Sequence, residues 1–314
     1  MTSAQGADTI KVPVILGPTA VGKTDLAMQL SCDLDMEIIS CDSRQIYRGM
    51  DIGTAKPGAE QLRRVKHWLV DIVDPDTEYS CFRFSKDAAA IIRQRAEAGI
   101  PTLLCGGSGL YFKSLFSGLG PEVGGSEEIR RKYWEQARML GDRSVFDELA
   151  RVDPCTAAGS HPSNVKRNIR ALEVYHTTGE TLSELKKQAR GPVDIEFLVV
   201  VCGMPRHELY QRINQRVDVM VKNGLMDEFK RLRERGHDGS APGMQCVGYK
   251  ELFAVEKNES DFNQAIEKIK QDTRNYAKRQ ITWFRHQVDG HEIDMRQGPL
   301  IDLKKRIKDF IKIL

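Results

Sequence analysis

A chain of 314 residues, 40% hydrophobic and 29% charged, has enough apolar content for a full core, and its length allows about two domains. The 47 basic and 44 acidic residues leave a formal +3, which excludes a polyelectrolyte, so any nucleic-acid site has to come from local clustering of charge. Cysteines at 32, 41, 81, 105, 155, 202 and 246 form no C-x-x-C pair and no zinc-finger spacing. They read as reduced thiols of a cytoplasmic protein. No apolar stretch reaches membrane-spanning length, and Met1 to Asp8 lacks the basic start and apolar core of a signal peptide, so no membrane partner is expected.

The first element is an apolar run from Ile10 to Leu16, read as a buried strand. It leads into Gly17, Pro18, Thr19, Ala20, Val21, Gly22, Lys23 and Thr24, and Thr24 to Leu30 can open a helix. The spacing G-x-x-x-x-G-K-[ST] between a strand and a helix is that of a phosphate-binding loop. Its glycines let backbone amides turn toward an anionic oxygen, the helix N-terminus and Lys23 add positive charge, and the Thr24 hydroxyl is placed to ligate Mg2+. ATP and other phosphates fit this pattern equally.

Met36 to Ser40 reads as a second strand ending in Cys41, Asp42, Ser43, Arg44 and Gln45. Residues just past strand ends line the ligand crevice of a doubly wound sheet, so Asp42 either faces the phosphate loop or caps a following turn. Arg48 to Pro57 reads as a loop, His67 to Val73 as a strand, Ser80 to Ala98 as a helix and Pro101 to Cys105 as a strand. Gly106 to Gly109 and an amphipathic Leu110 to Phe116 follow. Strand, glycine turn and helix in alternation give an α/β class with a P-loop-like parallel sheet.

Between Pro121 and Gly191 strand signals cease, and helices are expected at 126–140, 145–151, 163–177 and 181–189. Strand character returns with Ile195 to Cys202, which divides the chain into a first core part (1–120), a helical insertion (121–191) and the completion of the core (192–314). Within the insertion, Lys166, Arg167 and Arg170 share a helix surface, with no acid between Thr156 and Leu172. This is either a binding face or a solvated one. On the helix from Arg206 to Lys222, Arg212 and Arg216 lie one turn apart and either grip a diphosphate or pair with carboxylates. The helix from Asp261 to about Arg285 carries six basic residues against three acidic ones, with Lys270, Arg274, Lys278 and Arg285 in one stripe beside an apolar face. That pattern fits a phosphate-backbone track.

Together, the loop Gly17 to Thr24, Ser40 to Ser43, Ile46 to Pro57, Gly106 to Tyr111, Arg170 to Val174, Val247 to Tyr249 and Lys278 to Arg285 resemble the tRNA dimethylallyltransferase (tRNA isopentenyltransferase) family, bacterial type, over nearly the whole chain. The resemblance implies transfer of a dimethylallyl group from dimethylallyl diphosphate to the exocyclic amine of an adenosine beside the anticodon. It also implies magnesium and an inserted helical domain that closes on the anticodon stem; a monomer is expected. It places Thr19, Lys23 and Thr24 in the diphosphate site and Asp42 at the catalytic carboxylate. The segments implied to contact tRNA are Asp42, Ser43, Arg44 and Gln45; Ser108; Arg130; Lys166, Arg167, Asn168, Ile169 and Arg170; Gln245, Cys246, Val247, Gly248, Tyr249 and Lys250; and Lys278, Arg279, Gln280, Ile281, Thr282, Trp283, Phe284 and Arg285. Many members have Arg at positions 245 and 250 and Thr at 108, so those contacts are expected to be weaker here. The cysteine pattern excludes the zinc finger of eukaryotic relatives.

On this reading Arg216, rather than Arg212, steadies the departing diphosphate and Asp42 is the general base. The competing reading is a small-molecule or nucleoside kinase that uses the loop for ATP, with Trp68 to Asp71 as the hydrophobic run and acid that hold magnesium. Such a kinase leaves the basic tracks unexplained.

Overall fold

The computed structural model describes residues 9–298 and 300–312. It divides into two compact units, one comprising the described residues up to Leu115 and from Val193 onward, the other Phe116–Pro192. The excursion from the first unit thus begins at Phe116, ahead of the expected 121, and ends at Pro192.

In chain order the elements are β1 (Ile10–Leu16), α1 (Lys23–Leu34), β2 (Glu37–Cys41), α2 (Ala59–Arg64), β3 (His67–Trp68), α3 (Cys81–Glu97), β4 (Thr102–Gly106) and α4 (Gly109–Ser117). Then come α5 (Glu127–Leu140), α6 (Asp142–Val152), α7 (Pro154–Ala158), α8 (Val165–Thr178) and α9 (Leu182–Lys187). The first unit resumes with β5 (Ile195–Gly203), α10 (Arg206–Lys222), α11 (Leu225–Glu234), α12 (Lys250–Glu256), α13 (Phe262–Gln287), β6 (His291–Asp294) and α14 (Leu300–Lys312).

The strands form one sheet in the order β3-β2-β4-β1-β5-β6, every pair parallel. A parallel sheet is covered on both faces, which is why β1 is apolar throughout its C-terminal half rather than alternating. Val12, Val14 and Leu16 pack with Ile39, Phe84 and Phe112 on one side, while Ile15 packs with Leu30, Ile38, Leu103 and Val200 on the other. The phosphate loop leaves β1 at the centre of the sheet, and the Asp42 segment leaves β2 beyond β4.

One expected strand is mostly absent. Only His67 and Trp68 pair with β2; Leu69 (φ 61°) and Asp71 (φ 56°) then take left-handed conformations. The run from His67 to Val73 has strand composition, yet the Asp71 carboxylate is drawn to Lys56 Nζ, and the Ile72 and Val73 amides donate to the Ile46 carbonyl. These contacts turn the chain around the 45–56 loop.

The anchor of that loop was not evident from sequence. Glu228, 2% exposed on α11, accepts from the amides of Asp51, Ile52 and Gly53 at 2.8–3.1 Å and from the Tyr249 hydroxyl at 2.6 Å. Removing this acceptor strands several buried donors, each at about 1–3 kcal/mol. Glu228→Ala is therefore expected to lose about 3–5 kcal/mol of stability, read as a lower urea midpoint. A loss below about 1 kcal/mol would show that the loop has other supports.

The second unit is a helical cluster around Tyr133, Val145, Leu149, Ile169 and Leu172. Its polar centre is Glu173, 1% exposed, which accepts from the Ser126 amide (2.6 Å), Arg130 Nε (2.9 Å) and Arg170 Nη1 (2.5 Å). Burial pushes this carboxyl up, but the hydrogen bonds from Arg170 and Ser126 and the two arginine charges outweigh it, and the net shift is downward. Arg130 and Arg170, both expected on a tRNA surface, each pair with the buried Glu173 while their side chains stay partly exposed, and Arg170 also holds the Val123 carbonyl. The side chains of Asn168 (0% exposed) and Ile169 (2%) are likewise inside, Asn168 bonding Ser160 and the His161 carbonyl. Lys166 and Arg167 are exposed.

Candidate active site

The phosphate loop adopts the geometry its spacing requires. Gly22 has φ 103°, a conformation costly for other residues, and is the N-cap of α1; Ala20, at φ 65°, holds local strain of a kind that persists where surrounding structure fixes it. The first amides of α1 and the partial positive charge at its N-terminus lie at the loop.

A cleft of about 460 Å³ opens on this loop, lined by Thr19, Lys23, Thr24, Asp42, Arg216 and Gln280 among others. Lys23 Nζ donates to the Pro18 carbonyl at 2.7 Å. Burial lowers its pKa, opposed by the Cys105 and Cys202 thiols and by Asp42. Arg216 Nη2 donates to Thr19 Oγ1 at 2.6 Å, while its Nε is buried and has no partner among the described residues. Burial lowers the Arg216 pKa as well, with Asp42 again opposing. Two desolvated cations therefore converge on one loop, an arrangement that an anion with several oxygens satisfies best. Arg212 also lines the cleft but is exposed, near Gly22. The geometry favours Arg216 as the cation directed into the loop.

Asp42 performs both roles that the sequence left open. Its Oδ1 accepts from the Arg44 amide at 2.9 Å, closing a turn, and the carboxylate lines the cleft near Lys23 and Arg216. Ser108 Oγ accepts from the Ser43 amide (2.9 Å), and the Ser108 amide donates to the Cys41 carbonyl (3.1 Å), so β4's exit fixes β2's exit. Arg44 Nη1 reaches the Pro242 carbonyl and Gln45 bonds Ser40 and the Ala55 carbonyl. Ser108, at 8% exposed, thus serves the loop rather than a surface.

Gln280 has a similar structural role. Its side-chain oxygen accepts from the Thr19 amide and its nitrogen donates to the Gly107 carbonyl, both at 2.8 Å, which ties α13 to two strand ends. Three residues on, Trp283 packs so tightly on Gly109 that a Cβ there would lie 2.4 Å from the indole, so position 109 has to be glycine. Phe284 (3% exposed) is core, as are Cys246 (9%) and Tyr249 (0%). These expected tRNA contacts are packing side chains because each segment docks on the loop region: the Tyr249 ring lies against Gly53 and Gly248 gives its amide to Glu251. Ile281 and Val247 are half-buried.

What the segments leave outside is Lys278, Arg279, Thr282 and Arg285 on α13, with Gln245 and Lys250. Lys278, Arg279, Thr282 and Trp283, with Asn275, line a shallow groove of about 450 Å³. Lys250 pairs with Glu251 and Asp272; Gln245 donates to the Ser240 carbonyl. The basic stripe is shorter than its spacing implied, since Lys270 pairs with Asp218 and Glu267, and Arg274 bonds Asn214 and Gln271. Tyr276, which also lines the cleft, was not singled out from sequence; its signal was its place one helical turn before Gln280.

The donor set fits magnesium in one way. Thr24 offers a hydroxyl at the head of α1, but among the described residues no group of three His, Cys, Asp or Glu can hold a metal. A threonine hydroxyl in this place suits an ion carried in on phosphate oxygens, with few protein ligands. No helix among the described residues is long and apolar enough to cross a membrane.

A parallel α/β sheet with a phosphate loop at its central strand and a carboxylate at the exit of β2, one strand beyond β4, defines a P-loop-type enzyme. The IPP transferase model matches residues 45–287 and the isopentenyl transferase model residues 10–73. The chain is 41% identical over 304 residues to the tRNA dimethylallyltransferase of Thermotoga maritima, covering 96% of this chain and 98% of the relative. It is 42% identical to that of Staphylococcus carnosus, covering 94% and 96%. Among solved structures, the full-length tRNA isopentenylpyrophosphate transferase of Bacillus halodurans superposes with a TM-score of 0.70 at 36% identity, over 96% of this chain and 97% of that one. A eukaryotic dimethylallyltransferase acting on tRNA gives 0.78 at 27% identity, over 96% and 79%. The chain belongs to the IPP transferase family.

Proposed function

We propose that the chain is a tRNA dimethylallyltransferase that moves a dimethylallyl group from dimethylallyl diphosphate to the exocyclic N6 amine of an adenosine adjacent to the anticodon, releasing diphosphate. Membership of the family supports a prenyltransferase acting on tRNA. The observation that carries the finer reading is the convergence of Lys23, Arg216 and Thr19 opposite Asp42 in one cleft.

In the reaction the allylic carbon–oxygen bond breaks, leaving positive charge on the allyl group and gathering negative charge on the diphosphate. The loop amides, Lys23 and Arg216 meet that charge without reorganising, a stabilisation of several kcal/mol in a desolvated site, about 3–4 kcal/mol for a single donor. Thr19 Oγ1, held by Arg216, supplies a further donor. Magnesium, when bound through the diphosphate and Thr24, adds Lewis-acid neutralisation of the leaving group. As N6 bonds to carbon its proton becomes acidic and passes to Asp42. The adenine has to leave the anticodon stack to reach this depth, at a cost of a few kcal/mol, about the amount that contacts to flanking nucleotides return. Lys278, Arg279 and Arg285 are the exposed cations of α13 suited to that purpose. The kinase reading is disfavoured by Asp71, whose carboxylate is engaged by Lys56.

The test is incubation with dimethylallyl diphosphate and unmodified tRNA, followed by digestion to nucleosides and mass spectrometry. An adenosine heavier by one dimethylallyl group in place of a hydrogen is the expected product. Unchanged nucleosides together with ATP-dependent phosphorylation of a small acceptor would overturn the proposal.

A further inference from the structure

Tyr276 lies on the wall of the cleft, a turn of helix before the amide that locks α13 to the phosphate loop. Its backbone position is therefore as fixed as that of Thr19. The residue is 37% exposed, and its hydroxyl makes no hydrogen bond with any described residue.

Two neighbours indicate its role. The Arg279 guanidinium lies 5.9 Å from the ring centroid, and Arg279 also lines the basic groove on the outer face of α13. Asp42 lines the same cleft as Tyr276: burial first, then the Asp42 charge, pushes the phenol up to about 12, with Arg44 and Arg279 opposing. Tyr276 thus shares a cleft with the carboxylate that is to receive a proton, and its ring lies beside an arginine of the groove suited to phosphates. A planar, weakly charged group passing from one to the other has this π-face available.

We propose that Tyr276 is the stacking platform for the extruded purine, a positioning residue that holds the exocyclic amine toward Asp42. The inference rests on the transferase reading above and deepens it. A stacked base gains orientation as well as affinity, so the ring acts on the RNA side of the reaction and leaves the diphosphate side untouched.

The experiment uses the full chain with an unmodified anticodon stem-loop RNA and dimethylallyl diphosphate. Tyr276→Ala is expected to lower kcat/KM for the RNA roughly five- to a hundredfold, with KM for the diphosphate within about twofold of wild type. Tyr276→Phe and Tyr276→Trp, which keep a ring, are expected within about threefold. A stem-loop with 2-aminopurine at the target position gives a second readout: quenched fluorescence on wild type and Tyr276→Phe, bright fluorescence on Tyr276→Ala. The proposal is overturned if the alanine variant matches wild type, if phenylalanine loses as much as alanine, or if the diphosphate KM rises in parallel. A wild-type chain that transfers nothing between these substrates would overturn the transferase reading and this inference with it.

Discussion

Asp42→Asn is expected to lower the transfer rate by about 10²–10⁴-fold while leaving RNA binding within a few-fold of wild type. Asparagine is the informative replacement because it keeps the side-chain oxygen that accepts from the Arg44 amide, so the turn at the end of β2 survives. What disappears is the capacity to take a proton from the amine as the new carbon–nitrogen bond forms. Alanine would remove the turn's hydrogen bond as well and mix two effects. The check is single-turnover transfer alongside equilibrium binding of the anticodon stem-loop. Near-wild-type chemistry in Asp42→Asn would show that the amine's proton leaves by another route.

Arg216→Gln is expected to cost about 10²–10³-fold in kcat/KM for the allylic diphosphate, with the RNA Michaelis constant little changed. The guanidinium is directed into the loop through Thr19 Oγ1, and its buried Nε has no described partner, so its charge has no evident use other than an anion. Since Arg216 and Thr19 act as a unit, the double variant with Thr19→Val should lose much less than the product of the two single losses. Steady-state kinetics with each substrate varied decides it. A selective rise in the RNA constant would place Arg216 on the wrong substrate, and an equal loss in Arg212→Gln would divide the role between the two.

How much of this was legible depended on whether an element's chemistry is local. The phosphate loop could be read because its function fixes four positions within eight residues, and Asp42 because strand exits of a parallel sheet converge. Arg216 could be narrowed only to a pair, since a helical projection puts Arg212 and Arg216 beside the same apolar face; Thr19, nearly two hundred residues away, separates them. Glu228 was invisible for a related reason: its partners are backbone amides at 51–53, which leave no side-chain signature. On the insertion the acid-free window ended at Leu172, one residue before Glu173, whose buried carboxylate pairs with Arg130 and Arg170, a contact that the local charge pattern did not show. The run from His67 to Val73 reads as a strand by composition, but Lys56 and the Ile46 carbonyl compete for it across the loop. In each miss a long-range polar partner overrode a local pattern.

The central claim is that the phosphate loop holds a leaving group rather than a phosphoryl donor. A dimethylallyl diphosphate labelled with carbon-14 in the allyl group and phosphorus-32 in the diphosphate tests it in one reaction with unmodified tRNA. The prediction is carbon label on the RNA and all phosphorus label released as free diphosphate. Phosphorus label on the RNA, or no carbon transfer while labelled ATP phosphorylates an acceptor, would contradict it.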